Sequence, residues 1–177
     1  MPAGVPPHRD PKTITPPKIR LEMVASAIAS NPAFRMSTVE ADRPDVSYTV
    51  DTLSQLTRQH PDVCFHLLMS ADWLPSLSTW REPSRIAQLA RIVAVNRGAS
   101  PLPDLDRLRE SLGDDVVRAI QFVMMPAMPH AATDIRTRVG SGRSIRYLTP
   151  DPVIELIERH KLYRESVPRR GPDVLNI

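Results

Sequence analysis

The sequence has few glycines, cysteines, lysines and aromatic residues, and each shortage excludes a class of protein. The six glycines form neither GxGxxG nor GxxxxGK(S/T), which excludes a P-loop NTPase and a dehydrogenase whose fingerprint lies within these 177 residues. The single cysteine, Cys64, excludes a disulfide framework and a cysteine-based zinc site. No apolar run approaches the roughly 18 residues of a membrane span, and no secretory hydrophobic region follows Met1. We therefore expect a cytoplasmic protein that does not bind membranes.

The remaining composition is that of one globular domain with an aliphatic core. Hydrophobic residues make up 41% of the chain and aromatic residues only 5%, so aliphatic side chains must fill most of the interior. Only three of the 23 basic residues are lysines, and the planar guanidinium of arginine suits two-pronged binding of phosphates and carboxylates. The arginines are scattered through periodic segments and are not clustered with aromatic residues. This pattern disfavours a nucleic-acid-binding protein, the third class we considered.

Apolar periodicity predicts alternating helices and strands, typical of an α/β domain with a parallel sheet. Helices are predicted over residues 18–30, from a cap at Ser47 to about 60, and over 71–77, 83–90, 104–117, 133–139 and 152–160. Strands are predicted over residues 34–39, 63–69, 91–95 and 120–125. The strands are apolar enough to be covered on both faces, and the helices at 133 and 152 have good capping residues. The proline-rich first 17 residues are expected to be a loop, residues 1–163 the domain, and 164–177 a loosely ordered tail.

Three turns before helices carry groups that can bind a nucleotide. The SYTVDTL segment at 47–53 opens a helix whose free N–H groups favour an anion, although plain N-capping explains that segment alone better. Asp72 follows a buried strand, where an acid can hold ribose hydroxyls; the alternative is a helix cap with Trp80 in the core. Thr133 and Arg136 begin a later helix and can grip a polyphosphate; the alternative is a cap and a surface arginine.

Taken in chain order, these segments resemble bacterial nicotinate-nucleotide adenylyltransferases. The resemblance runs from Met1 to about Tyr163. Its motifs are VPPHR at 5–9, SYTVDTL at 47–53, SAD at 70–72 with Trp80, Arg97-Gly98, TDIR at 133–136, GRSIRYL at 142–148 and HKLY at 160–163. Each motif is weak alone, but the ordered set is specific. The resemblance implies a Rossmann-like nucleotidyltransferase fold with a parallel sheet.

The resemblance also implies a reaction and a set of site residues. The family transfers the adenylyl group of ATP to nicotinate mononucleotide in NAD biosynthesis and releases pyrophosphate, with Mg²⁺ accompanying ATP and no covalent enzyme intermediate. The residues implied for the acceptor are Tyr48, Thr49, Asp72, Trp80 and Arg97, and those for the ATP phosphates are Arg9, Thr133 and Arg136. Trp80 would stack on the nicotinate ring, while main-chain amides near Tyr48 and Thr49 and just after Trp80 would hold its carboxylate. No protein-held metal is implied, and a homo-oligomer is left open.

The sequence departs from the family pattern in three places. The family's GG(S/T)FDPxHxGH loop, whose paired histidines are catalytic, does not occur in the 177 residues, and His8 belongs to a later motif. We therefore predict no catalytic residue in this chain, the absence of sheet strands 1 and 2, a true start upstream of Met1, and little turnover by the chain as written. Ala131 and Ala132 stand where the family has hydroxyls, and Ser70 replaces a glycine.

Two other functions remain open from the sequence. The departures favour a non-catalytic nucleotide-binding relative. An adenylyltransferase with another acceptor, such as phosphopantetheine, is disfavoured by SYTVDTL and by the spacing of Trp80 from Asp72.

Overall fold

The computed structural model describes residues 1–7, 14–97, 102–126 and 131–164, and the chain divides into two compact units. Unit 1 comprises Met1–Pro2, Ile14–Thr38 and Pro129–Ile177, and unit 2 comprises Ala3–Thr13 and Val39–Met128. The predicted site residue Arg9 and most of the predicted tail lie outside the described residues, and so does the side chain of Arg97.

Unit 2 contains a three-stranded parallel sheet in the order β1-β2-β3. The strands are β1 (Phe65–Ser70), β2 (Ala90–Arg97) and β3 (Ile120–Met125). In register, Leu67 pairs with Ile92, and Ile92 pairs with Ile120. The prediction of an α/β fold with a parallel sheet is confirmed.

Helices follow the strands as the sequence predicted, with small shifts of their ends. Their bounds are α1 Pro17–Ile28, α2 Thr49–Gln59, a 3₁₀ helix Ala71–Thr79, α3 Pro83–Leu89, α4 Leu105–Leu112, α5 Asp114–Arg118, α6 Ala132–Gly140 and α7 Asp151–Arg159. None of the helices in the described ranges is both long and apolar enough to cross a membrane.

One face of the sheet packs on the core of unit 2. Buried side chains from α2, α3, α4 and the 3₁₀ helix meet the inward-facing residues of β2, and burial of this apolar surface is the main stabilising contribution. On the opposite face Leu68 is 68% exposed and Val123 is 39% exposed. Successive strand residues point to opposite faces, so the expectation that these strands are covered on both faces is wrong. The apolar content of a strand does not by itself show whether one or both of its faces are buried.

Three further local predictions are wrong for identifiable reasons. Residues 34–39 form no strand: Phe34 is exposed and follows a turn in which the Asn31 side chain accepts from the Ala33 N–H at 3.0 Å. The single helix predicted over 104–117 is two helices, because Gly113 adopts φ 84° between α4 and α5. Finally, neither α6 nor α7 has a side-chain capping hydrogen bond among the described residues.

Unit 1 is built from α1, α6 and α7. Its small apolar core contains Ile145, Val153 and Ile157, with side chains from α1, α6 and the Leu162–Tyr163 turn packed against it. The α1–α7 contact carries one acidic side chain close to two side chains of α7 and its C-cap: Glu22 lies 3.7 Å from Arg159 and 3.4 Å from His160. The helices of this unit are therefore joined by both apolar and polar contacts.

Candidate functional site

The start of α2 is held by a segment distant in sequence. The Ser47 hydroxyl is buried and accepts from the Gly4 N–H at 3.1 Å, and the Ser47 N–H donates to the Val5 carbonyl at 2.8 Å. The prediction that Ser47 caps α2 is therefore wrong. Tyr48 occupies the cap position, and within the described part of the chain no side chain makes a capping hydrogen bond there. The first N–H groups of a helix have no partner inside the helix, so this end can receive an anion.

A buried hydroxyl in the first turn of α2 also ties the start of this helix to the loop that precedes it. Thr52 is 2% exposed; its hydroxyl donates to Glu40 Oε1 at 2.8 Å and accepts from Arg43 Nη2. Gly4 packs closely against the loop that carries Glu40 and Arg43, since a Cβ added to Gly4 would lie 2.4 Å from the Glu40 carbonyl oxygen. The Tyr48–Thr49 turn is thus fixed by contacts on both sides.

Asp72 lies just beyond the carboxyl end of β1, as predicted. The Ser70 hydroxyl donates to Asp72 Oδ2 at 3.2 Å, so the residue that replaces the family's glycine contacts a predicted site residue. Ser70 pairs with Val95, and β2 continues to Arg97, which places the Arg97 backbone at the same edge of the sheet as Asp72. Ligands of open parallel sheets bind at this edge.

Trp80 ends the 3₁₀ helix that follows Asp72. This helix is anchored by Leu74 and Leu77, which are fully buried, and the Trp80 N–H donates to the Leu77 carbonyl at 3.1 Å. The Trp80 side chain is half-buried and packs against the same buried cluster as Tyr48. The other tryptophan, Trp73, is 58% exposed. The fold therefore brings Trp80 and Tyr48 onto one core.

Arg81 links these two parts, and sequence reasoning missed its side chain. Its guanidinium carbon lies 5.1 Å from the centroid of the Tyr48 ring, and Nη1 lies 3.4 Å from Asp51 Oδ2. A guanidinium over an aromatic face is attracted by the ring's electrons. The only sequence signal was an arginine directly after the predicted stacking tryptophan.

The other predicted phosphate residues lie on α6 in unit 1. Thr133 is the second residue of α6 and is exposed; Ala131 takes the cap position, so the prediction that Thr133 begins the helix is wrong by one residue. The Arg136 guanidinium lies 5.5 Å from the centroid of the Tyr163 ring. Tyr163 packs on the core of unit 1, and its hydroxyl lies 3.4 Å from Thr15 Oγ1. Arg136 is therefore held on a fixed aromatic surface.

The pKa of one side chain near Tyr163, the Arg20 guanidinium, is shifted by its surroundings. Partial burial lowers the pKa of the Arg20 guanidinium, and the interaction with Tyr163 opposes that shift. Arg20 Nε donates to the Thr15 carbonyl at 2.9 Å. Arg20 is therefore a second arginine near Tyr163, besides Arg136.

Within residues 1–7, 14–97, 102–126 and 131–164, no group of three or more His, Cys, Asp or Glu side chains could hold a metal ion.

Comparison with known proteins identifies relatives over nearly the whole chain. A cytidylyltransferase-like family model matches residues 1–138. A probable nicotinate-nucleotide adenylyltransferase of Thermomicrobium roseum is 44% identical over 165 residues, covering 93% of this chain and 76% of that protein. The protein of the same description from a Roseiflexus species is 42% identical over 166 residues, covering 93% and 81%. Among solved structures, Plasmodium falciparum nicotinic acid mononucleotide adenylyltransferase complexed with NaAD matches with a TM-score of 0.61 and 14% identity, over 88% of this chain and 78% of that chain. This last likeness concerns the fold.

Proposed function

The chain belongs to the nicotinate-nucleotide adenylyltransferase family, among the cytidylyltransferase-like proteins, and we propose that it transfers the adenylyl group of ATP to nicotinate mononucleotide. A phosphate oxygen of the mononucleotide attacks the α-phosphorus of ATP. The bond from that phosphorus to the oxygen bridging to the β-phosphate breaks, and pyrophosphate leaves with that oxygen. Nicotinate adenine dinucleotide is the product. Such a transfer needs alignment and charge stabilisation more than a protein nucleophile.

The observation that carries this proposal is that Tyr48 and Trp80 pack against one buried cluster, while Arg81, next to Trp80, contacts the Tyr48 ring. Trp80 offers a flat apolar surface, and stacking on an aromatic ring stabilises a complex by about 0.5–1.5 kcal/mol beyond area burial. The α2 start after Tyr48 offers N–H donors and the positive end of the helix dipole. An aromatic surface beside anion-binding donors suits an acidic aromatic ring such as nicotinate, and phosphopantetheine has no such ring.

The ribose and phosphate of the acceptor are assigned to the edge beyond β1 and β2. Asp72 is exposed at the carboxyl end of β1, where a carboxylate accepts from ribose hydroxyls. Arg97 ends β2 at the same edge, and we assign it to the acceptor phosphate on its position in the backbone and the family pattern.

ATP is assigned to Arg9, Thr133 and Arg136. Arg136 is supported by its placement on the Tyr163 ring, one turn after the start of α6, and guanidinium is well suited to phosphate. Arg9 rests on the sequence pattern alone. As the family pattern implies, we assign Mg²⁺ to the ATP phosphates, as part of the substrate. The cytoplasmic location and the oligomeric state stay predictions.

Intrinsic fluorescence tests the acceptor assignment directly, because the chain has two tryptophans. In Trp73→Phe only Trp80 remains, and we expect nicotinate mononucleotide to quench its emission saturably. In the matched variant Trp80→Phe only the exposed Trp73 remains, and we expect no saturable quenching. Equal quenching of both variants, or quenching by phosphopantetheine but not by the mononucleotide, would contradict the proposal.

A nucleotide-binding relative without turnover is the second candidate. It is favoured by Ala131 and Ala132, whose methyl groups cannot donate to a phosphate. Saturable binding of both nucleotides without any dinucleotide product would identify it.

A further inference from the structure

Arg81 connects two segments that are separate in the chain and that both contribute to the proposed acceptor site. The first segment is Tyr48–Thr49, where α2 begins, and the second is Trp80 at the end of the 3₁₀ helix. Arg81 directly follows Trp80, and its guanidinium lies 5.1 Å from the Tyr48 ring centroid. Its Nη1 also lies 3.4 Å from Asp51 Oδ2, in the first turn of α2. One side chain therefore contacts the helix start at two points.

The ion pair alone is a weak link. The Arg81 side chain is 53% exposed and that of Asp51 is 43% exposed, so water and salt screen their attraction. The ring contact is what makes the link directional: a planar guanidinium can lie on the Tyr48 ring and direct an N–H to a carboxylate at its edge. A lysine ammonium has no plane with which to meet both partners. The geometry thus requires arginine more than it requires a positive charge.

The surrounding charges indicate that Arg81 acts on the protein and not on the ligand carboxylate. Its guanidinium faces Asp51, and its Nε lies 3.8 Å from Glu82 Oε1. Two carboxylates near one guanidinium leave no excess positive charge at this point. Glu82 is also held at φ 53°, a conformation uncommon for a residue with a side chain, which fixes the direction of the chain after Arg81.

We propose that Arg81 is a positioning residue that sets the distance between the Trp80 ring and the N-terminus of α2, and thereby the affinity for the pyridine mononucleotide. This inference rests on the proposed function of the acceptor site. If Arg81 is lost, Trp80 and the α2 start still pack on the same buried cluster but lose the direct side-chain link between them. Acceptor binding should then weaken, while ATP binding should be unaffected and the chain should still fold.

The test compares three arginine variants in the full chain carrying Trp73→Phe. Arg81→Met removes the charge and the planar group, Arg81→Lys keeps the charge only, and Arg85→Met is the matched control. Arg85 is exposed on α3 and donates to Gln88 on the same helix. Affinity for nicotinate mononucleotide is measured by Trp80 quenching, affinity for ATP by calorimetry, and folding by the thermal unfolding midpoint.

We expect Arg81→Met to weaken mononucleotide binding by about tenfold, the scale of a well-formed cation–π contact, with ATP affinity as in the unsubstituted chain and the unfolding midpoint lowered by only a few degrees. Arg81→Lys should lie closer to Arg81→Met than to the parent, and Arg85→Met should match the parent. A double-mutant cycle with Tyr48→Leu should show coupling, since the two side chains are in contact.

Two results would overturn the inference, and they are distinguishable. If the parent chain does not bind the mononucleotide, the proposed function fails and the inference fails with it. If the parent binds and Arg81→Met binds equally well, or loses ATP affinity by the same factor, the positioning role alone is wrong. A lower unfolding midpoint in Arg81→Met with equal loss of both ligands would identify a purely structural residue.

Discussion

A single hydroxyl alters the environment of the predicted acceptor carboxylate. Ser70 stands where the family pattern has glycine, and its Oγ donates to Asp72 Oδ2 at 3.2 Å. The hydrogen bond occupies an acceptor position on a carboxylate that we assign to ribose. If Asp72 binds the ribose as we propose, the residue that departs from the pattern would compete directly with the ligand.

Removal of this hydroxyl should strengthen acceptor binding. In Ser70→Ala and in Ser70→Gly, the carboxylate loses an intramolecular partner whose net contribution is about 0.5–1.5 kcal/mol, so the Kd for nicotinate mononucleotide should fall about two- to tenfold. Trp80 quenching measures the Kd. Ser78→Ala is the control, because that hydroxyl lies on the same 3₁₀ helix and donates to the Pro75 carbonyl. Unchanged or weaker binding in both Ser70 variants would contradict the assignment of Asp72.

Arg136 is the residue on which the phosphate assignment depends most. Arg136→Ala should weaken ATP or pyrophosphate binding by about 1.5–3 kcal/mol, the range for a hydrogen bond to a charged group. Tyr163→Leu, which removes the ring beneath Arg136, should give a smaller loss of about 0.5–1 kcal/mol, and Tyr163→Phe should bind like the parent. Calorimetry measures all three. Unchanged affinity in Arg136→Ala would make α6 an ordinary surface helix.

At the scale of elements, the start of α2 depends on a close approach by the N-terminal segment. Gly4 donates to Ser47, and a Cβ at position 4 would meet the Glu40 carbonyl oxygen at 2.4 Å, which the backbone cannot accept without a shift. The displaced loop carries Glu40 and Arg43, which contact Thr52 on α2. A change in the first residues of unit 2 therefore reaches the helix that we assign to the acceptor.

Gly4→Ala should destabilise the protein by about 1–3 kcal/mol, as expected for an overpacked site. The unfolding midpoint should fall by about 2–4 °C for each kcal/mol in a chain of this length. Ala3→Gly controls for altered chain flexibility at the neighbouring position. A midpoint in Gly4→Ala equal to that of the parent would show that the segment can move aside and does not brace α2.

The sequence predicted the periodic elements well and the local contacts less well. The strand predicted at 120–125 has those bounds in the structure. A short, largely apolar run that ends at a proline is a pattern typical of a strand. The role of Ser47 could not be predicted, since the donor that occupies its hydroxyl is Gly4, 43 residues away. Residues 34–39 have strand-like composition, but the three-stranded sheet is formed by β1, β2 and β3, and composition alone does not show which apolar segments join a sheet.

At the scale of the whole molecule, the family resemblance placed Tyr48, Thr49 and Trp80 around one acceptor ring but not the contacts that join them. That Tyr48 and Trp80 pack on one buried cluster, and that Arg81 contacts the Tyr48 ring, follows only from the fold. The side-chain contact between Arg81 and Tyr48 spans 33 positions, which no local pattern shows. The division into two compact units was also not predicted, because each unit combines segments that are distant in the sequence.

The measurement that tests the central claim most directly is identification of the adenylylated product. The protein, at a concentration close to that of the substrates, is incubated with ATP, Mg²⁺ and one acceptor at a time: nicotinate mononucleotide, nicotinamide mononucleotide or phosphopantetheine. Chromatography with mass detection then reports the product, and released pyrophosphate reports the amount. We predict nicotinate adenine dinucleotide and an equal amount of pyrophosphate, formed slowly and abolished by Arg136→Ala. Adenylylation of phosphopantetheine in place of nicotinate mononucleotide, or no product from an acceptor that binds saturably, would contradict the claim.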